Sequence, residues 1–186
     1  MEVKLMNNKI LALGTYYSND ILYDKQTNIL YKDVNINTNS NKNYLVVSLT
    51  LFSLPIVRWL TQFLHFENSF INSFILFIVI FLTFILTHSL VKQKFNKLQL
   101  EVISLTDYEK KEFLIKEKKN TEIAITIFFI SLMLSIICMF IYLLISSIIL
   151  IFIIFGCSFL VFLTLELSTF ERKRIINKLI KEVEIK

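Results

Sequence analysis

Glycine and proline are almost missing, at two and one in 186 residues. Tight turns favour the first and helix breaks the second, so the chain is expected to run in long helices with few connections. Charge is missing over a long stretch as well: none of the 43 residues between Glu122 and Glu166 is acidic or basic. A surface helix of a soluble domain keeps a polar face, which such a stretch cannot supply. The two cysteines, Cys138 and Cys157, both fall inside apolar runs. They offer neither a disulfide framework nor metal-ligand spacing, and read as two small buried thiols. His65 and His88 are the sole histidines, and no H-E-x-x-H, G-x-S-x-G or G-x-x-x-x-G-K-[ST] pattern occurs. Two glycines do not build a phosphate-cradling loop. These absences argue against an enzyme, and neither a cofactor nor a metal is expected.

What is present is apolar bulk: 55% hydrophobic residues, 18 Phe and a mean hydropathy of +0.62. It is gathered into runs of about 20 residues, the length that crosses a bilayer. We place spans at residues 44–64, 70–91, 121–145 and 147–168. The second, 22 residues long, would reach about 33 Å as a helix. The polar–apolar alternation of a transmembrane β-barrel is not found. The expected fold is an all-α integral membrane protein of four transmembrane helices arranged as two hairpins. The flanking segments are an N-terminal flap with an Asn-rich linker (1–43), a basic loop or helix (92–120) and an amphipathic basic tail (169–186).

Net charge is +5, but its distribution says more than its size. Five of the 20 Lys and Arg fall in residues 1–43, eight in 92–120 and six in 169–186, leaving Arg58 alone. With four spans those three segments share one side, and Lys and Arg mark the cytoplasmic one. Both termini are therefore expected inside a plasma membrane, with the basic groups near anionic headgroups. No basic groove with aromatic platforms is apparent, so nucleic acid is not an expected partner. Residues 1–43 lack the apolar core and cleavage site of a secretory signal, so the first span itself is expected to lead insertion.

Taken in order, the chain opens with a repeated I-L-Y-charge pattern at residues 21–24 and 29–32, separated by Lys25, Gln26, Thr27 and Asn28. This reads as a β-hairpin, with residues 9–17 as a third strand. The linker NINTNSNKN follows at 35–43. In the first span Pro55 would kink the helix and ask a neighbour to tolerate it. Arg58 beside Trp59 reads first as an interface anchor able to pair with Glu67, and second as an intramembrane functional group. An outer turn is expected at 67–69, and His88 is expected exposed at the inner end of the second span. Residues 98–105 read as a strand able to join the hairpin. Thr106 and Glu109 fit a capping box that starts a helix running into the third span. Ser131 and Ser135 make a small-residue face, Gly156 offers a point of close approach, and the turn between spans falls at Ser146-Ser147. Glu166, near the inner end of the fourth span, is a second intramembrane candidate, shallow enough to snorkel or to pair with Arg172. The tail carries Ile175, Ile176, Leu179, Ile180 and Val183 at helical spacing, fit to lie on the inner leaflet or to pack on the central loop.

An offset of 81 residues aligns the FLTFIL run at 81–86 with FLTLEL at 162–167, and an N-K-L-x-x-E-V pattern at 96–102 with the one at 177–183. Two such halves would be a parallel duplication about an axis along the membrane normal.

The hairpin followed by LFSLPIVRW at residues 51–59 resembles small Gram-positive multi-span proteins that protect a cell from a secreted toxin. Among them is the tandem five-span family linked to type VII-secreted, membrane-depolarising toxins. The resemblance covers residues 9–60, is pattern-level, and meets four expected spans here where that family has five. It implies immunity, by binding or blocking a membrane-embedded toxin or bacteriocin, and carries over no site residue. The Ile, Asn, Lys and Phe usage also resembles low-GC Gram-positive proteins. Two other readings stay open: a small permease subunit or half-transporter working as a homo-oligomer through Glu166 and Arg58, and a membrane scaffold docking a cytoplasmic partner.

Overall fold

The computed structural model describes residues 10–17, 19–34, 69–96 and 98–184. Its elements in order are β1 (Ile10–Tyr16), β2 (Asn19–Asp24), β3 (Leu30–Asp33), α1 (Ser69–Asn96), β4 (Leu100–Val102), α2 (Asp107–Ile145), α3 (Ile148–Glu166) and α4 (Thr169–Glu184). The first expected span, with Pro55 and Arg58, lies outside the described residues.

Among the described residues three helices, α1, α2 and α3, are long and apolar enough to cross a membrane. The described residues divide into two compact units. One holds the described residues of Met1–Ile36, Thr87–Phe128 and Phe162–Lys186, and the other those of Asn37–Leu86 and Phe129–Val161.

The first unit is built on an antiparallel sheet in the order β1-β2-β3-β4. The β2–β3 turn is made by Asp24. Its carboxylate accepts from the Gln26 backbone N–H (2.8 Å) and the Thr27 hydroxyl (2.9 Å), and Asn28 takes a positive φ of 57°. An Asx turn of this kind explains why Lys25–Asn28 reverses the chain without glycine. The sheet is larger than a hairpin because β4 joins it, with Tyr31 opposite Val102 and Asp33 opposite Leu100.

One face of the sheet buries Leu11, Leu13, Ile21, Tyr23 and Leu30 against Phe113 and Leu114 of α2 and Ile176 and Leu179 of α4. The apolar stripe of the tail thus packs inside the protein, on the sheet and the central helix. At roughly 1.5–3 kcal/mol for each fully buried aliphatic or aromatic side chain, this core is the unit's main source of stability. Thr106 and Glu109 form the expected capping box. The Glu109 carboxylate accepts from the Thr106 backbone N–H (2.9 Å), and the Glu109 N–H donates to Thr106 Oγ1 (3.3 Å).

In the second unit, Leu76, Cys138, Tyr142 and Ile154 form a small core. α2 ends at Ile145 and α3 begins at Ile148, with Ser146 at φ 55°. The turn therefore falls at Ser146-Ser147. The two cysteines are free thiols, Cys138 buried and Cys157 half-buried.

The 81-residue repeat extends to conformation only in part: residues 81–86 and 162–166 are helical in both copies, but the second motif differs. Glu101 and Val102 belong to strand β4, whereas their counterparts Glu182 and Val183 are helical in α4. The first copy follows the end of α1 and finds an open strand edge on β3. The second continues a helix whose Ile176 and Leu179 are gripped by the core, so context and not the shared pattern sets the structure.

Candidate functional site

Charged residues that sequence spacing leaves scattered are brought together in the first unit. Glu166, the last residue of α3, lies 3.1 Å from His88 Nδ1 on α1. Arg172, whose pairing with Glu166 is one of the two readings open from the sequence, is taken elsewhere. It sits on the buried stripe of α4 with Thr169, Ile176 and Leu179 and pairs with Glu117 of α2. The reason is geometric: Glu117 falls one turn from Phe113 and Leu114 on the inward face of α2 and is itself only 2% exposed. A carboxylate buried there needs a cation, and Arg172 is the one on the facing stripe.

The Glu117 site has further support. Asn120 Nδ2 donates to Glu117 Oε1 at 3.2 Å, and the Thr121 hydroxyl to the Glu117 carbonyl at 2.7 Å. Burial pulls the Arg172 guanidinium below its ordinary range, while the facing Glu117 carboxylate pushes it back up. A guanidinium tolerates this without losing its proton, which is why Arg and not Lys suits the position. Arg172 Nε is buried without a hydrogen-bond partner among the described residues.

The same unit holds a cavity of about 660 Å³. Val91, Phe95, Leu11 and Leu165 give it apolar walls; Lys25, His88, Lys92, Glu166 and Glu171 give it charge. Lys25 Nζ is 2.8 Å from Glu171 Oε2, so two ion pairs, Lys25–Glu171 and His88–Glu166, face the same space. Such a volume is within the range of sites for small ligands, about 300–1,000 Å³. Nearby, Lys94 pairs with Asp20 at 2.8 Å and ties the end of α1 to the start of β2.

The packing candidates lie in the second unit. Ser131 and Ser135 are both buried, and Ser135 Oγ is 3.3 Å from Ser158 Oγ across the α2–α3 contact. Gly156 is exposed, and among the described residues a Cβ placed there would meet nothing within 4 Å. Close approach of the two helices therefore uses serines and not that glycine. Asn72, Tyr142 and Ser146 form a polar node: Asn72 Nδ2 donates to Ser146 Oγ at 2.6 Å, and the Tyr142 hydroxyl to Asn72 Oδ1 at 3.3 Å.

Sequence reasoning singled out Glu166 but missed Glu117 and Lys25. A signal for Glu117 exists, because Phe113, Leu114, Glu117 and Thr121 share one helical face. None exists for Lys25, whose partner is 146 residues away. No family model, curated protein or solved structure matches the chain.

Proposed function

We propose that this chain is an integral membrane protein that protects its cell against a membrane-active toxin by helix–helix binding in the bilayer. The observation that carries this reading is an aromatic ridge on α1. Phe70, Phe74, Phe77 and Phe81 follow one another at helical spacing, are 81%, 59%, 67% and 53% exposed, and include a stacked pair, Phe77 and Phe81, with ring centroids 6.2 Å apart. Large rigid side chains on one helix face give a partner helix much contact area at low entropic cost. The polar groups of the neighbouring helices are meanwhile engaged with one another at Asn72–Ser146 and Ser135–Ser158.

The proposal includes four spans, with both termini on the cytoplasmic side of a bacterial plasma membrane. The Tyr31–Val102 pairing supports it. Two strands of one sheet lie on the same side of a bilayer, so the chain between them crosses an even number of times. α1 supplies one crossing, and residues 44–64 are the apolar run available for another.

The test is survival of a sensitive host that expresses the neighbouring gene's product in its membrane, with and without this protein. Protection should survive Glu166→Gln and fall when Phe74 and Phe77 are both changed to Ala. No protection by the unaltered chain would sink the immunity reading. A second reading, a permease subunit working as an oligomer through Glu166 and Arg58, is favoured by the His88–Glu166 pair facing the cavity. Under that reading Glu166→Gln abolishes solute uptake.

A further inference from the structure

One of the charged groups around the cavity is left out of its ion pairs. Lys25 is matched by Glu171 and His88 by Glu166, but Lys92, one turn beyond His88 on α1, has no ion-pair partner among the described residues. Lys92 is therefore the one Lys or Arg of the lining without a carboxylate partner among the described residues. Beside Lys92 the wall is apolar, made by Val91 and Phe95 of α1 and Leu165 of α3. Lys92 is the first basic residue after the apolar run of α1, and Glu166 is the first charged residue after that of α3. A single unmatched cation beside an apolar wall, at the polar ends of two such helices, suits a ligand with an anionic head and hydrocarbon tails. The two carboxylates are already engaged within the lining, Glu171 by Lys25 at 2.8 Å and Glu166 by the His88 ring at 3.1 Å.

We propose that this cavity binds the headgroup of an anionic phospholipid, with Lys92 as the counter-ion of the phosphate and the acyl chains leaving along Val91, Phe95 and Leu165. This does not depend on the immunity reading. It makes the cavity a lipid-recognition site that would order the junction of α1, α3 and β1.

The full chain in mild detergent, titrated with phosphatidylglycerol and phosphatidylcholine and read by native mass spectrometry, tests it. Phosphatidylglycerol should be retained in preference to phosphatidylcholine, and Lys92→Gln should weaken its binding about fivefold, as expected for one juxtamembrane cation. Lys173→Gln serves as the control. Lys173 pairs with Glu122 at 3.7 Å and does not line the cavity, so this change should leave binding unaltered. Equal loss in the two variants would reduce the effect to general surface charge and overturn the site. Equal retention of the two lipids would overturn it as well. Displacement of the lipid by glycerol 3-phosphate at matched concentration would overturn the lipid assignment in favour of a soluble phosphate ligand. A thermal melt of each variant confirms that a loss of binding is not a loss of fold.

Discussion

The carboxylate of Glu117 occupies the space where a side chain on residue 14 would stand. A Cβ built on Gly14 runs into the Glu117 carboxyl, far inside van der Waals distance. Gly14 also has φ 148° and follows a register shift in the β1–β2 ladder, where Ala12 faces Leu22 but Gly14 faces Ile21. The bulge keeps Leu13 wholly buried while β1 passes directly over the ion pair of Glu117 with Arg172. One of only two glycines in the chain is therefore spent where strand backbone meets a buried carboxylate.

Gly14→Ala should consequently destabilise the sheet unit by about 3 kcal/mol, since it strains the backbone and pushes Glu117 off its counter-charge, Arg172. The expected readout is an earlier thermal transition and faster proteolysis within residues 10–34, with α1 still helical. A variant as stable as the parent would mean that Glu117 has another place to go.

The Glu117–Arg172 pair should behave as a coupled unit. Glu117→Gln alone, or Arg172→Met alone, leaves a buried group without its partner, at a cost of roughly 3–5 kcal/mol. The double change Glu117→Leu with Arg172→Met removes both charges from an apolar interface and should recover most of that loss. A double-mutant cycle on thermal or denaturant unfolding measures the coupling. Strictly additive losses would show that the two side chains act separately.

Which parts of this structure were legible in the sequence follows from the range of the forces involved. The hairpin, the Thr106 capping box and the turn at Ser146-Ser147 are local: each depends on residues within a few positions, and each appears where the pattern puts it. The exchange of Arg172 from Glu166 to Glu117 is not local. Glu166 is nearer in sequence, but only Glu117 lies on the face that α4 covers, and that depends on how two helices dock. The failure of the repeat at Glu101-Val102 has the same origin, because the edge of β3 is absent from any window around the motif. Lys25–Glu171 shows the limit most plainly, since neither residue differs in type or neighbourhood from other surface charges.

Tyr23 gives the sheet unit an alkaline sensitivity. Burial, and then the negative charges of Glu182 and Asp24, raise its phenol above the ordinary value of 10.0, and its hydroxyl donates to Asn28 Oδ1 at 2.6 Å. The folded form thus holds the proton more tightly than the unfolded one. The associated stability is complete below pH 10 and is lost as pH rises through the folded value. Unfolding followed from pH 8 to 11 should show a destabilisation that begins near pH 10 and is reduced in Tyr23→Phe. An unchanged alkaline limb in that variant would assign the sensitivity to other groups.

The pairing of Tyr31 with Val102 makes a claim about sidedness that can be read chemically. With Cys138 and Cys157 replaced by Ala, single cysteines at Tyr17 and Tyr108, 83% and 77% exposed, report on the two chain segments that meet in the sheet unit. In intact cells both should resist a membrane-impermeant maleimide and react with a permeant one, because the proposed topology puts the basic segments around them inside. A cysteine at Asn68, in the expected outer turn, should react with the impermeant reagent. Labelling of Tyr17→Cys and Tyr108→Cys from opposite sides would mean that the chain crosses an odd number of times between them. That would defeat the four-span arrangement, and the sheet could not form in the membrane-inserted protein.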